Sequence, residues 1–316
     1  AKSAPHGQTN VLGITYKDDS TLARFRQKSD ARCQRLDLKT DLGIHDPLAG
    51  LETIQAHVVA ARASAIHKAK GASDILIVRH ILEHAHRPLD FLKACQTMTT
   101  PGGIMVFEVP DCSKMLRGGD HCFLWEEHIV YFTPHTLRVF FEHAGLTDVD
   151  IQVYEYAMED SLVAIVKNTG SEPKNASAES HEIEMLHSFA RNQSIRSSKI
   201  QSYLKALNSQ RKKIAVFGAG HLSLKFINFY ELAPYIDCVI DDNPHKQGLF
   251  MGGSGLPIVP SKLLESHQID LCILGLNLES EQKVCAAKSE YLARGGKFLS
   301  AFSSSTRSID TELAHA

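Results

Sequence analysis

His80, Glu83 and His84 spell HxxEH, two histidines four residues apart. On a helix they share one face and can grip a zinc ion, with Glu83 as general base. His86 adds one more nitrogen. No clear third ligand follows at a usual spacing, and the same residues read as the opening of a helix after a buried strand, so no metal is assigned. A second feature is Gly218-Ala219-Gly220-His221, where a short apolar run enters a glycine turn and a helix leaves it. Asp241 ends the next strand, 23 residues after Gly218. That is the layout of a dinucleotide site, in which turn amides cradle pyrophosphate and the acidic residue takes a ribose hydroxyl. Ser223 stands where a third glycine is usual, and its side chain would crowd the approach of helix to strand. The turn's N–H groups can still receive an anion.

These residues need scaffolds. VLGITY (11–16), DILIVR (74–79), GIMVFEVP (103–110) and SLVAIVK (161–167) read as strands, and residues 80–98 and 134–145 as amphipathic helices between them. The alternation predicts a mostly parallel sheet covered by helices over 1–167. Residues 168–178 are polar and carry Gly, Pro, Asn and Ser, which marks a linker, and 179–209 have helical texture. The stretch 168–210 is therefore read as a connector. A second series has strands KIAVFG, DCVIDD, DLCILGLN and GKFLSAF, with helices over 221–231, 261–267 and 279–294, and predicts a smaller doubly wound domain over 211–304. Residues 305–316 read as a polar tail.

The chain has 316 residues, 43% hydrophobic and 22% charged, with a net charge of −2. That balance gives no electrostatic reason to expect nucleic acid or an anionic membrane as partner. No apolar stretch approaches the ~20 residues of a membrane span. Seven scattered cysteines form no CxxC pair, so neither a disulfide framework nor a zinc knuckle is expected, and a reducing cytoplasm is the simplest home. The chain begins with Ala, which is read as a fragment or a trimmed start.

The strand from Asp74, the RHILEHAHRP segment after it and the PGG turn before IMVFEVPD resemble the second half of a class I S-adenosylmethionine-dependent methyltransferase. LWEEHIVYFTPHTL (124–137) is similar to the YHEHxSYFS-type segment of the sugar C-methyltransferase family, matching at Glu127, His128, Tyr131 and Phe132. Glu126 replaces that family's first histidine, and Trp125 its aromatic. Asp242-Asn243-Pro244-His245-Lys246-Gln247-Gly248 and the following GGSGLPIVP resemble the signature of the same family's C-terminal domain.

The resemblance implies a class I methyltransferase-like α/β domain followed by a smaller Rossmann-like one. It also implies S-adenosylmethionine as cofactor, near Arg79 and His80, and a nucleotide-linked keto-deoxysugar or related saccharide as substrate. VLGITY looks like the second strand of that fold, with Thr15 where a ribose-binding carboxylate is usual; Asp18, Asp19 or Asp37 would substitute. The first strand and its glycine-rich turn are then expected upstream of Ala1. The second domain would hold the sugar nucleotide through Gly218, Gly220, Asn243, Lys246 and Asn277. Phe217 stands where relatives tend to have Tyr.

Methylating a carbon beside a ketone requires a base to remove the α-proton, and a histidine's ordinary pKa of ~6.5 suits that step. The resemblance points to His128, with Glu126 or Glu127 orienting its ring, Tyr131 hydrogen-bonding the enolate oxygen and His221 as a second base or donor. Transfer to oxygen is a variant of the same reading. Two rivals stand beside it: an NAD(P)-dependent oxidoreductase using the Gly218 turn, and a non-catalytic sugar-nucleotide-binding relative.

Overall fold

The structure, a computed structural model, describes residues 8–170, 180–266 and 268–314. The chain divides into two compact units, one of residues 1–113 and 126–179, the other of 114–125 and 180–316. In the first, β1 (Asn10–Gly13), α1 (Asp19–Lys28), β2 (Arg32–Arg35), α2 (Leu51–His57), α3 (Ala60–Lys70), β3 (Ser73–Arg79), α4 (Pro88–Met98) and β4 (Thr99–Asp111) follow one another. The chain leaves this unit in α5 (Ser113–Gly118) and returns for α6 (Pro134–His143), β5 (Val149–Tyr154) and β6 (Asp160–Lys167).

The six strands lie in the order β2-β1-β3-β4-β6-β5. The first four are parallel, and β6 runs antiparallel to both β4 and β5. Leu76, Ile77 and Val78 of β3 are fully buried, because a central parallel strand is covered on both faces. The edge strand β2 is mostly polar, and β5 interleaves Asp150 and Gln152 with its apolar residues and is largely exposed, so neither reads as an apolar run.

β1 does not occupy the second-strand place expected for it. It lies between β2 and β3, the point from which the sheet winds outward in both directions. The turn after the switch-point strand is therefore within this chain and runs Ile14–Asp19, without glycine. The helix expected over 80–98 starts only at Pro88: His80 has φ +49, and Arg87, held out of the α region by the proline after it, ends the lead-in.

The second unit carries α7 (Ser180–Ser209), β7 (Ile214–Phe217), α8 (His221–Phe229), β8 (Cys238–Ile240), β9 (Ile258–Val259), β10 (Leu271–Leu274), α9 (Leu278–Ala287), α10 (Ser289–Ala293), β11 (Lys297–Ser300) and α11 (Ile309–Leu313). Its sheet is wholly parallel, in the order β11-β10-β7-β8-β9. The compact units divide elsewhere than the sequence boundaries do. α7 packs within the second unit, burying Ile200 and Leu204, and the stretch after 304 is no tail, since Ile309 is buried and Ser308 bridges Ser300. Of the expected linker, 171–178 lies outside the described residues, as do Ala1, His315 and Ala316.

Residues 114–125 join the second unit although the chain on both sides belongs to the first. Here Asp120 and His121 are buried among Arg196, Tyr230 and Ser303. Both nitrogens of the His121 ring are engaged, by Tyr230 Oη at 3.0 Å and the Phe189 carbonyl at 2.9 Å.

Candidate active site

In an open α/β sheet, ligands collect at the carboxyl ends of the strands beside the switch point. At the end of β1 the chain turns through Thr15–Asp18. The Asp18 carboxylate folds back to accept the N–H groups of Ile14 (2.7 Å), Thr15 (2.8 Å) and, from the end of β3, Arg79 (3.0 Å). Gly13 makes this possible: a Cβ there would lie 2.9 Å from Asp18 Cβ. Burial pushes the Asp18 carboxyl up to about 6, against the amide hydrogen bonds and the Arg79 charge.

Asp18→Ala, leaving three amides without their acceptor, is expected to cost about 2–3 kcal/mol in urea unfolding. Asp18→Asn supplies a pH test. The folded-state value lies above the unfolded 3.8, so the stability due to Asp18 is complete below about 3.8 and lost as pH rises through about 6. Between pH 4 and 7 the asparagine variant should gain on the wild type by as much as about 3 kcal/mol.

Beyond β2, Asp37 Oδ1 accepts from the amides of Lys39 and Thr40 and from Thr40 Oγ1, which holds its carboxyl below the usual range. A pocket of about 380 Å³ opens beside it, lined by Ile14, Thr15, Tyr16, Leu36, Leu38 and Leu48 among others. Leu48 is 89% exposed and Tyr16 52%, an apolar rim that a flat ring system would cover. Thr15 itself is buried, its hydroxyl capping the turn through the Lys17 amide. Thr15, Asp37, Arg79 and His80 thus stand at the ends of three neighbouring strands. Asp37 is the carboxylate that follows the second strand, and Thr15 belongs to the turn after the first.

At the end of β3, Arg79 Nε and His80 Nε2 both reach Glu108, the latter at 3.2 Å. Burial opposes the charge on His80, but the Glu108 and Glu83 carboxylates outweigh it and raise the imidazole to about 9. His80 is therefore a cation at neutral pH. His84 turns away from it, its Nδ1 3.1 Å from Glu52 Oε1 and its ring edge-on to His128 with centroids 4.9 Å apart. Ligating atoms of Glu83, His84 and His128 lie within 4.8 Å of one another. His128, 44 residues after His84, is the neighbour that the HxxEH spacing could not supply.

The loop carrying His128 is pinned by its backbone. The Glu83 carbonyl accepts from Ile129 (2.8 Å) and Val130 (3.1 Å), and Phe132 pairs with Asp111 and Cys112 at the end of β4. Tyr131 follows His128 with ring centroids 5.9 Å apart, and Glu127 is exposed. Sequence reasoning missed that Glu83 and His84 stand beside His128, and Glu52 beside His84; the clue was HxxEH itself, read along the chain instead of across it.

In the second unit, Gly218 has φ +101, which favours glycine, and a Cβ there would meet Leu276 at 2.6 Å. Ser223 is buried and donates to the Gly275 carbonyl at 3.2 Å. A Cβ on Gly275 would lie 1.9 Å from Ser223 Oγ, so the close approach is met by glycine on the facing strand end. Asp241 accepts from the Ala219 amide (2.8 Å) and from Lys246 Nζ (3.3 Å), and Lys246 also donates to the Ala219 carbonyl. Burial raises the Asp241 carboxyl, but these bonds and one from Asn243 carry it below the usual range. Asn243 Oδ1 accepts from His245, and Asn277 caps α9 through the Ser280 amide. Gly220 is the N-cap of α8, and His221 at its start stacks on Trp125, centroids 5.4 Å apart. Lys225, wholly buried, lies 4.1 Å over the same Trp125 ring.

A family model of the C-methyltransferase C-terminal domain matches residues 161–302, and one of the methyltransferase domain matches 26–151. C-methyltransferase NovU of Streptomyces niveus is 23% identical over 79% of this chain and 62% of its own length. The ubiquinone biosynthesis O-methyltransferase of Burkholderia pseudomallei is 28% identical over 40% of this chain and 60% of its own. The chain thus spans about three fifths of the curated relatives it matches. A solved SAM-dependent methyltransferase from Archaeoglobus fulgidus aligns with 51% of this chain and 86% of its own, at 15% identity and a TM-score of 0.36.

S-adenosylmethionine needs an apolar slot for adenine, an acceptor for ribose and partners for its amino-acid end. The pocket beside Tyr16 and Leu48 would take the first, and the Asp37 carboxylate after β2 would take the second. At the amino-acid end, the Ile14 and Thr15 amides already serve Asp18, so Arg79 and His80, both beside Glu108, are the cations that would meet a carboxylate there.

Proposed function

We propose that this chain, matched by the models of the methyltransferase domain and of the C-methyltransferase C-terminal domain, methylates a carbon beside a ketone in a nucleotide-linked sugar. The observation that supports this most is His128, anchored beside Glu83 and His84 beyond the ends of β3 and β4. S-adenosylmethionine supplies an electrophilic methyl group when bound. Tyr16 and Leu48 cover the adenine, Asp37 holds the ribose, and Arg79 with His80 meets the carboxylate. His128 takes the α-proton, and Tyr131 donates to the enolate oxygen as charge builds there. In the second unit, Gly218, Gly220, Asn243, Lys246, Asn277 and His221 are the proposed sugar-nucleotide contacts. Seven free cysteines accord with a reducing cytoplasm, and among the described residues no helix is long and apolar enough to cross a membrane.

The oxidoreductase reading is weaker because Asp241, its ribose carboxylate, is occupied by Ala219 and Lys246. Calorimetry with S-adenosylmethionine and with NADH decides between them: binding of the former alone is expected, and binding of NADH alone would sink the proposal. Asp37→Asn should weaken binding of the methyl donor about tenfold, the scale of one charge-assisted hydrogen bond. An unchanged affinity would remove Asp37 from the site.

A further inference from the structure

We propose that Glu83, His84 and His128 form a binding site for a divalent transition-metal ion of the zinc class. Two imidazoles and one carboxylate, with ligating atoms within 4.8 Å of one another, are the donor set of a three-ligand zinc site that keeps its fourth position open. A second observation points the same way. Glu83 Oε2 and His84 Nδ1 are buried without a hydrogen-bond partner among the described residues, on side chains only 2% and 9% exposed. Unpaired buried polar atoms are costly; a cation on Glu83 Oε2 removes one such cost, and Glu52 can take up the other at His84 Nδ1.

The surroundings suit a metal as well. Glu52 Oε1 lies 3.1 Å from His84 Nδ1, at ion-pair distance but without hydrogen-bond geometry. A small rotation of either group would complete the carboxylate–histidine–metal relay that fixes a ligand's tautomer, leaving His84 Nε2 for the ion. His80 stays out of the set: Glu108 holds its Nε2, and its Nδ1 lies 3.6 Å from the other Glu83 oxygen, Oε1. The two Glu83 carbonyl hydrogen bonds fix His128 against the turn, so the three ligands are organised by backbone before any ion arrives.

If the methyl-transfer reading holds, the His128 lone pair that takes the α-proton is the one that binds the ion. Metal and proton abstraction then exclude each other, and the ion is a brake.

The test uses the full chain with ZnCl₂ alone, and cobalt(II) as a spectroscopic substitute, without methyl donor or acceptor. Calorimetry should show one tight site per chain, and cobalt should give visible d–d absorption. Glu83→Gln, His84→Ala and His128→Gln should each weaken the tight site about tenfold or more, as loss of a ligand exceeds the 10–100-fold seen for outer-shell partners only in degree. His143→Ala, at an exposed helix end, should leave it intact. Absence of a tight site, or a tight site indifferent to His128→Gln, would overturn the proposal. His128 is only half-buried, so this variant keeps the test valid should His84→Ala fail to fold. Because no turnover is read, the site can fail while the methyl-transfer reading stands, and the reverse.

Discussion

His128→Ala should lower methyl transfer about 10²–10⁴-fold, the usual worth of a positioned acid–base group. The affinity for S-adenosylmethionine should be unchanged, because the pocket lined by Tyr16, Leu36 and Leu48 contains no part of the His128 loop. The loop itself should persist, since it is held by the Glu83 carbonyl and by Phe132 pairing with β4. The loss should therefore fall on kcat. Exchange of the substrate's α-proton in deuterated water, measured without the methyl donor, isolates the step: wild type should exchange and the variant should not. Unchanged turnover in His128→Ala would take this residue out of the mechanism.

Arg196→Ala should destabilise the second unit by about 3–5 kcal/mol, the cost of leaving a buried charge without its partner. The guanidinium donates to Asp120 (3.1 Å), Asp310 (2.8 Å), Tyr230 Oη (3.0 Å) and the carbonyls of Gly119 (2.8 Å) and Ala301 (3.0 Å). Burial opposes its charge, but Tyr230, Asp310 and Asp120 together raise its pKa further. Arg196→Lys should rescue little, since a single ammonium cannot reproduce the planar fork. Urea unfolding followed by circular dichroism reads the effect; a loss below about 1 kcal/mol would show that the network is not held by this side chain.

The interior of both sheets was open to sequence reading. β3, β7 and β10 are apolar runs because both of their faces are covered, while β4 and β6 alternate buried with partly exposed residues along apolar stretches. β2 and β5 were not, because an edge strand such as Arg32–Arg35 needs no apolar side chains on its free side. The turn after β1 was misplaced for a related reason. Without glycine it lacks the usual mark of a switch-point turn, and the carboxylate that rigidifies it, Asp18, looks in sequence like any helix-opening aspartate.

The parts of the site that could not be read are pairwise. Ser223 is tolerated because residue 275, on another strand end, is glycine. Asp241 and Lys246 also tie down the Gly218 turn, through the Ala219 amide and carbonyl, a role that no motif announces. Glu83 and His128 meet only through backbone hydrogen bonds between segments that neither motif announces. The candidate residues at the sheet's carboxyl edge were legible because that edge is set by topology; their partners were not.

The excursion of residues 114–125 sets an order of events during synthesis. Asp120 and its partner Ser303 are 183 residues apart. At ribosomal speeds of roughly 5–20 residues per second, the segment leaves the ribosome about ten seconds or more before its binding surface exists. Phe123 and the fully buried Cys122 must wait exposed for that time. The first unit can complete its sheet around the absent strip, but the second cannot close until Ser303 and its neighbours have been added. Nascent chains stalled near residue 300 should thus hold a finished N-terminal body and a sticky, unsealed C-terminal one, the state in which a chaperone would be most needed.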